Sequence, residues 1–595
     1  MIMPMKRIYV MSLRKEADRI LDVLAGLGAV HLEHEQTPQG GDLNDLNDQN
    51  QALTKALLIL EEFQTKKGCA RTSTLEIPQA VVNEILELKE RISEVNENIS
   101  VIQNNIALWS PWGSFDPEDI RVLMSKGIFI RLCQGTGKDL KKVPEGVAVQ
   151  TITQNGRQIL FAVISASLVE LPFTVLDFPS MGLSQMKRQL GEARQKLDTM
   201  TSKLREFCQY EQALLKALNS KKEELKFKEA LSGMGRVESI VYLKGFCPEE
   251  RCPELESVAQ KEKWIVLTEE PATEDKVPTY LKNPKWVELV NPVFNFMSII
   301  PGYREADVSF CFLFFFSIFF GMLIGDAGYG LVFFLLTFWL HRKAKSTVSD
   351  QTAFYLIYVL SSCAMIWGAL TGTFFGVSLF GKFVKPLVPW LGTEKNVQLL
   401  CFTIGAAHLT IAHIWRGLRK LPTLLVLSDV GWVAIVWCSF FYAQQFILSV
   451  PVPAFINPMG LVAFIIIILF SQPFQDILKD ITGFSIGILL TVLTVISTLI
   501  DVISYIRLFA VGTAGLALAE AFNQMALSAG FHNLLMGLMS ILILVAGHLL
   551  NIILGVMAIM VHGLRLNILE FSGHLSLEWS GVKYHPFKRL TKESF

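Results

Sequence analysis

At 595 residues the chain is long enough for several domains. Hydrophobic residues make up 51% and charged residues 18%, with a mean hydropathy of +0.40, which excludes an ordinary soluble globule and implies a membrane protein with a large soluble part. The formal net charge is zero but unevenly spread: Lys, Arg, Glu and Asp crowd the chain up to about Glu305, and long apolar runs dominate beyond Ser309.

The N-terminus does not read as a secretory signal, because its apolar run is short and charges follow at once. The soluble half is therefore expected to stay in the cytoplasm. The nine cysteines are scattered without a disulfide framework, and Cys247 and Cys252 lack a second ligand pair, so no metal is expected. Arg7–Met11 reads as a strand, Lys15–Leu27 as a helix and Ala29–His34 as a second strand, closed by Gly40 and Gly41. A helix at Leu46–Phe63 precedes two heptad patterns. In the first, apolar residues fall at Ile85, Leu88, Ile92, Val95, Ile99, Ile102, Ile106 and Trp109, in steps of 3 and 4. In the second they fall at Leu183, Met186, Leu190, Ala193, Leu197, Met200, Leu204 and Phe207, continuing past a break at Glu211 to Leu214 and Leu218. A 3.5-residue repeat keeps one apolar stripe facing a partner helix. The helix Leu183–Lys228 is expected to span roughly 65–70 Å. Strand-like runs at Gly127–Leu132, Val147–Ile152 and Gln158–Ile164 lie between the helices, and Val237–Gly245 and Trp264–Thr268 follow them.

These elements predict a mixed fold. Its N-terminal part is an α/β dumbbell with a long antiparallel coiled coil. Its C-terminal part is an all-α membrane domain of about eight transmembrane helices. Residues 1–300 form the arm: lobes 1–40 with 234–285, and 111–179, joined by helices 43–110 and 183–230. Residues 301–576 form the membrane domain and 577–595 a cytoplasmic tail. A soluble coiled coil used for dimerisation is the plainer reading of the heptads; their link to a membrane domain favours a strut or stalk contact.

Eight apolar spans occur at about 309–325, 328–341, 352–376, 397–415, 422–448, 458–471, 485–526 and 533–568. A bilayer needs about 20 residues per helix, so the first, second and sixth are short. The last two, at ~50–60 Å if straight, exceed a ~30 Å hydrocarbon core and must tilt, break or project. Basic clusters at His341–Lys345, at Trp415–Lys420, and at Lys583, Lys588, Arg589 and Lys592 fall on one side if the count is eight, opposed only by the lysines of the loop Leu379–Lys395. Both termini are thus expected to be cytoplasmic.

Arg507 sits about midway along the seventh span. An arginine in hydrocarbon costs ~3 to over 10 kcal/mol, and it cannot shed its proton. It must face protein, water or a carboxylate. An intramolecular ion pair with Glu520 or Asp501 is the plainer alternative, although neither stands at an i±4 position. Arg565 lies late in the last span, where a long side chain can also snorkel to the interface. Glu520, Asn523, Gln524, His548 and Asn551 could wet an ion route, or each could be a helix–helix hydrogen bond, the commoner case for polar groups in membranes.

The segment SYIRLFAVG at residues 504–512, the run from Gly547 to His574 with YHPF at 584–587, the GDAGYG hairpin (Gly325, Asp326, Gly328, Tyr329, Gly330) and the Tyr303–Asp307 approach together resemble subunit a, or I, of V- and A-type rotary ATPases, and the likeness covers essentially the whole chain. The resemblance implies a stator. In that family a ring of proteolipid subunits, each with an ion-binding carboxylate, turns against this subunit, and two offset half-channels reach it. Arg507 and Arg565 would stand between the half-channels, and the carboxylate that Arg507 meets is expected on the ring rather than in this chain. The glycine-rich turn is expected to let the two hairpin helices pack closely. Implied partners are the rotor proteolipid ring, the peripheral stalk subunits, the central rotor collar subunit and the lipid bilayer, with no nucleic acid and no cofactor. Where acidic and histidine residues often assist, this chain has Gly515 and Gly555, so the half-channel lining falls to Glu520, Asn523, His548, Asn551 and His562. The short chain suits the plasma membrane of a bacterium or archaeon. No G-x-x-x-x-G-K-[ST] loop occurs, so nucleotide chemistry is left to other subunits. The competing readings are a secondary transporter with a cytoplasmic coiled-coil domain, for which no internal repeat is visible, and a membrane scaffold, which leaves Arg507 without a reason.

Overall fold

Alternating apolar residues open the chain as a strand, β1 (Met5–Leu13), which buries Met5, Ile8 and Val10. The structure, a computed structural model, describes residues 1–63, 79–136, 140, 143, 147–155, 158–167, 169, 171, 174–344, 350–376, 386–471, 481–530 and 533–589. The expected helix 43–110 therefore crosses residues 64–78, which lie outside the described residues. So do Lys345, Lys592 and the part Leu379–Lys385 of the loop Leu379–Lys395.

After β1, helix α1 (Ala17–Leu27) presses Ile20, Leu21 and Leu24 onto the sheet and ends at Gly28 in the left-handed region (φ 59°). β2 (His31–Glu33) follows. Much later in the chain come β7 (Gly235–Val237), β8 (Ile240–Pro248) and β9 (Ile265–Glu269). β1 pairs antiparallel with both β8 and β9, giving the order β2-β8-β1-β9 with β7 beside β8. Val241, Leu243, Leu255 and Trp264 complete this core.

Between these strands run α2 (Gly41–Phe63), α3 (Gln79–Trp109) and α4 (Pro117–Ser125). Then comes a second antiparallel sheet, ordered β4-β5-β3-β6, of β3 (Phe129–Gly135), β4 (Ala148–Asn155), β5 (Gln158–Ser165) and β6 (Thr174–Leu176). α5 (Leu183–Phe207) and α6 (Glu211–Ser232) lead back toward the first sheet. α3 packs on α5 and α2 on α6, burying Leu53, Leu60, Ile85, Ile92, Leu204 and Leu214 in one cluster. The single helix expected over Leu183–Lys228 is instead two helices joined by a 3₁₀ turn at Cys208–Tyr210. The turn immediately precedes Glu211, where the apolar repeat fails and a partner helix has nothing to grip.

The membrane half begins after α7 (Cys252–Glu262), the short strand β10 (Pro278–Thr279) and α8 (Asn291–Met297). α9 (Ser309–Ile324) is the central post, with nearly every side chain from Cys311 to Ile324 buried. α10 (Ala327–Ala344) leaves it at 118°. α11 (Thr352–Thr371), α12 (Glu394–Arg419), α13 (Val426–Ala443, extended by a π turn to Leu448) and α14 (Ile456–Phe470) follow. Next are α15 (Ile481–Ser504), α16 (Ile506–Ala529) and α17 (Leu534–Ala558). α17 continues through π turns at Ile559–Gly563 and Leu566–Phe571 into α18 (Ser572–Leu575).

Five runs among the described residues are long and apolar enough to cross a membrane, and a sixth if the bent pair α9–α10 counts as one; α14 has only 15 residues. The chain is thus a multi-pass membrane protein. The first two expected spans are the arms of that bent pair, a geometry that hydropathy does not register. The long seventh run breaks at Tyr505. Beyond α18 the tail returns to the first sheet. β11 (Val582–Lys583) pairs parallel with β10, and Phe587 N–H donates to Val30 O at 2.7 Å.

Candidate functional site

The bend between α9 and α10 is built by two residues. Gly325 takes a left-handed conformation (φ 67°) and ends α9, its N–H donating to Gly321 O. Asp326 then caps α10: its Oδ1 accepts the N–H groups of Gly328 at 2.7 Å and Tyr329 at 3.2 Å. The same carboxylate accepts Phe375 N–H at 3.0 Å and Gly376 N–H at 3.2 Å from the segment after α11. Asp326 is buried, and four backbone donors satisfy it. The glycines do not seat the two arms on each other, as expected, because the arms diverge. A Cβ at Gly330 would lie 2.8 Å from Met365 N and one at Gly328 2.6 Å from the Phe375 ring, so these faces admit α11 and the segment behind it.

From that segment a row of hydrogen bonds crosses the membrane half. Asn523 Nδ2, on α16, donates to Phe375 O at 2.7 Å and Gly376 O at 3.1 Å. Its Oδ1 lies 3.2 Å from His548 Nε2 on α17. His548 Nδ1 lies 2.7 Å from Tyr329 OH on α10. Asn551 Nδ2 donates to Tyr329 OH at 2.9 Å and to Gly515 O at 2.8 Å. Since Tyr329 accepts from Asn551, its hydroxyl hydrogen goes to His548 Nδ1, and the imidazole hydrogen on Nε2 goes to Asn523. Asn523, His548 and Asn551 are thus brought together with Asp326 and Tyr329. Gly515 takes part through its carbonyl, in place of a side chain.

The second cluster lies about Arg507, the middle residue of the 45-residue run Ser485–Ala529 and two residues past its break at Tyr505. Arg507 Nη2 donates to Glu570 Oε1 at 3.2 Å, and Arg565 Nε is ion-paired to the same oxygen at 3.3 Å. Ser504 Oγ lies 3.4 Å from it. The Glu570 side chain is 3% exposed, against 24% for Arg507 and 53% for Arg565. Two guanidiniums on one carboxylate leave a net positive charge. Arg507 Nη1 and Glu570 Oε2 are buried with no hydrogen-bond partner among the described residues.

Glu570 is the residue that sequence reasoning missed, since the sequence points to a carboxylate for Arg507 on another chain or at Glu520 or Asp501. In an α-helix, residues five apart diverge by about 140°. The π turn at Leu566–Phe571 widens the helix, and Glu570 comes round to Arg565. The one available signal was an acidic residue five places beyond the arginine. The two partners considered for Arg507 are engaged elsewhere: Asp501 Oδ2 lies 3.2 Å from His574 Nε2, and Glu520 accepts from Gln524 at 3.3 Å. Glu520 is exposed and stands outside the Asn523 row. His562 is half-buried, three residues before Arg565, and no hydrogen bond joins it to that row among the described residues.

No family model matches the chain. Among curated proteins it is similar to the V-type ATP synthase subunit I of Borreliella burgdorferi, 30% identical over 617 aligned positions that cover all of both chains. It is 27% identical to V-type ATP synthase subunit I 1 of Treponema pallidum, over 99% of this chain and 100% of that one. It is 25% identical to the A-type ATP synthase subunit I of Methanocaldococcus jannaschii, over 69% of this chain and 64% of that one.

Proposed function

The chain belongs to the V/A-type ATP synthase subunit I family, and from that premise we propose how its residues serve ion translocation. It is the membrane stator subunit of a rotary ATPase, coupling ion flow to rotation and so to ATP synthesis or hydrolysis. The reading as a secondary transporter falls with the family membership.

Arg507 and Arg565 form the positive barrier between two half-channels. The observation that carries this reading is the pair of guanidiniums sharing buried Glu570 at the midpoint of the longest apolar run. The fixed net positive charge favours the ionised form of a rotor carboxylate passing it, which drives release of its ion. It also repels cations, so they cannot leak directly between half-channels. Arg507 Nη1, buried without an acceptor among the described residues, is a donor suited to that passing carboxylate. Arginine holds its charge when desolvated, where lysine can lose it. Glu570 is a positioning residue: it orients both guanidiniums without neutralising them. The Asn523–His548–Tyr329–Asn551 row, with Glu520 and His562, lines the half-channels, and Asp326 pins the hairpin against which the row rests.

The rotor proteolipid ring is the partner of this face. Residues 1–300 form the arm, a coiled-coil dumbbell that meets the peripheral stalks and the central rotor collar. Eight crossings place both termini in the cytoplasm. The test is Arg507→Ala in the complete complex, reconstituted in vesicles. ATP-driven ion transport should be abolished while the subunit still assembles; coupled transport at the normal rate would refute the role.

A further inference from the structure

Outside the arginine pair, a second line of titratable side chains is buried in the membrane half. Arg416 Nη2, on α12, lies 3.1 Å from His413 Nδ1. A guanidinium only donates, so His413 Nδ1 accepts and the imidazole hydrogen sits on Nε2. That Nε2 lies 2.8 Å from Nδ1 of His574 on α18. His574 therefore carries its hydrogen on Nε2, 3.2 Å from Asp501 Oδ2 on α15. With both rings neutral, the donors run in one direction from Arg416 to Asp501.

The same atoms also support the opposite direction. Asp429 of α13 stands at the head of the line, its Oδ1 3.8 Å from His413 Nδ1. If Asp501 holds a proton, it donates to His574 Nε2, His574 Nδ1–H donates to His413 Nε2, and His413 Nδ1–H turns to Asp429. The two histidine links keep their partners in both polarities; at His413 Nδ1 the reversed polarity requires Arg416 Nη2 to swing aside and Asp429, at 3.8 Å, to close to hydrogen-bond distance. Two histidines that only glued helices together would need one polarity and one terminal partner.

We propose that Asp429, His413, His574 and Asp501 are a proton relay between the lobe-bearing end of the helix bundle and the neighbourhood of Arg507, and that the translocated ion is therefore H⁺. The inference rests on the ion-path reading above. In the inward step a proton arrives on His413 Nδ1. The Nε2 proton of His413 passes to His574 Nδ1, and the Nε2 proton of His574 passes to Asp501. One proton enters and one leaves, both rings end neutral, and no other reactant is consumed. Once Asp501 has handed its proton on, both rings return to the Nε2–H polarity by reorientation rather than by back-transfer, and the row is ready for the next proton.

The ends of the line fit this role. Arg419, three residues past Arg416, donates to Arg304 O at 2.6 Å, where the N-terminal half meets the membrane half. Asp501 is 31% exposed and six residues before Arg507. The middle is dry and held: His413 is 2% exposed and its ring stacks on Trp432 at 5.9 Å and 6°. The other groups facing the line are Lys420, 2.6 Å from Asp429 Oδ2; Arg416 Nε, 2.5 Å from Asp429 Oδ1; Ser576, 3.5 Å from Arg416; and His408, which stacks on Phe571 and bonds Tyr505. Directly bonded side chains offer no oxygen cage to a metal cation and pass only what can hop.

The test uses the complete complex in vesicles, reading ATP-driven proton uptake and sodium uptake separately. Asp501→Asn keeps an acceptor for His574 Nε2–H, so a structural contact survives while the proton acceptor is lost. His574→Gln likewise retains a donor and an acceptor but cannot exchange tautomers. Proton uptake should fall at least tenfold in each variant, and Asp501→Glu should restore most of it. Wild-type uptake by Asp501→Asn overturns the relay, as does transport of sodium in place of protons; if His574→Gln does not assemble, Asp501→Asn decides. Arg507→Ala is run in parallel. If it too transports normally, the ion-path reading itself falls; if it is dead while Asp501→Asn is normal, only the relay falls.

Discussion

Two buried carboxylates in the membrane half are satisfied in opposite ways. Asp326 takes four backbone N–H groups, from the start of α10 and from Phe375 and Gly376. Glu570 takes two arginine side chains and a serine. Backbone donors carry no net charge and cannot move without the fold moving, so Asp326 reads as a clamp. Side-chain donors bring their own charge and swing on long stems, so Glu570 reads as a tether whose partners remain free to act. A buried carboxylate therefore reveals its role by what holds it.

The comparison breaks most visibly at the clamp. Asp326→Ala strands four backbone donors, and each buried donor left without an acceptor costs ~1–3 kcal/mol. The subunit should fail to accumulate or should melt far earlier in detergent, as measured by thermal unfolding of the purified complex. Asp326→Asn, which keeps one acceptor oxygen, should recover part of the loss. If Asp326→Ala assembles and melts as wild type, the clamp reading is wrong. At the tether the expected effect is on function. Glu570→Gln should leave the subunit assembled but lower coupled transport about tenfold, equivalent to ~1.4 kcal/mol on the barrier, because both guanidiniums lose their anchor. Glu570→Asp should fall between. Loss of assembly with Glu570→Gln, at the level seen for Asp326→Ala, would erase the distinction between the two carboxylates.

The sequence carried the local half of this picture. Arg7–Met11 lies inside β1, Gln158–Ile164 inside β5, and the heptad residues Ile85, Leu88 and Ile92 inside one buried cluster, because period and burial go together within an element. The arginines stood out because charge in an apolar run is costly wherever the helix goes. What stayed hidden depends on helix geometry or on distant pairing. A π turn moves Glu570 to Arg565 without changing the hydropathy. A 118° bend sets two neighbouring apolar runs at an angle that hydropathy does not register. His413 and His574 are 161 residues apart, and nothing along the chain announces that they share a hydrogen bond.

The tail supplies a third way of meeting a backbone donor, and the smallest expected effect. His585 N–H donates to His31 Nδ1 at 3.1 Å, with His585 O also 3.1 Å from that nitrogen. Here the acceptor is titratable. Burial lowers the pKa of His31, against the raising pull of the His585 carbonyl, and burial also lowers that of His585, helped by Lys583 and Lys226. A folded-state value below the ordinary histidine value of about 6.5 means that the unfolded tail binds more protons as the pH falls. The clasp is complete above about pH 6.5 and weakens below it, toward the lowered folded value. Amide exchange should therefore show residues 582–587 better protected at pH 7.5 than at pH 5.5, while the Asp326 hairpin is unchanged over the same range. His31→Gln should flatten most of the difference and His31→Gln with His585→Gln all of it. An unaltered pH slope in the double variant would mean that the tail is held by Phe587 and the β10–β11 pairing alone, and that only the membrane carboxylates distinguish a clamp from a tether.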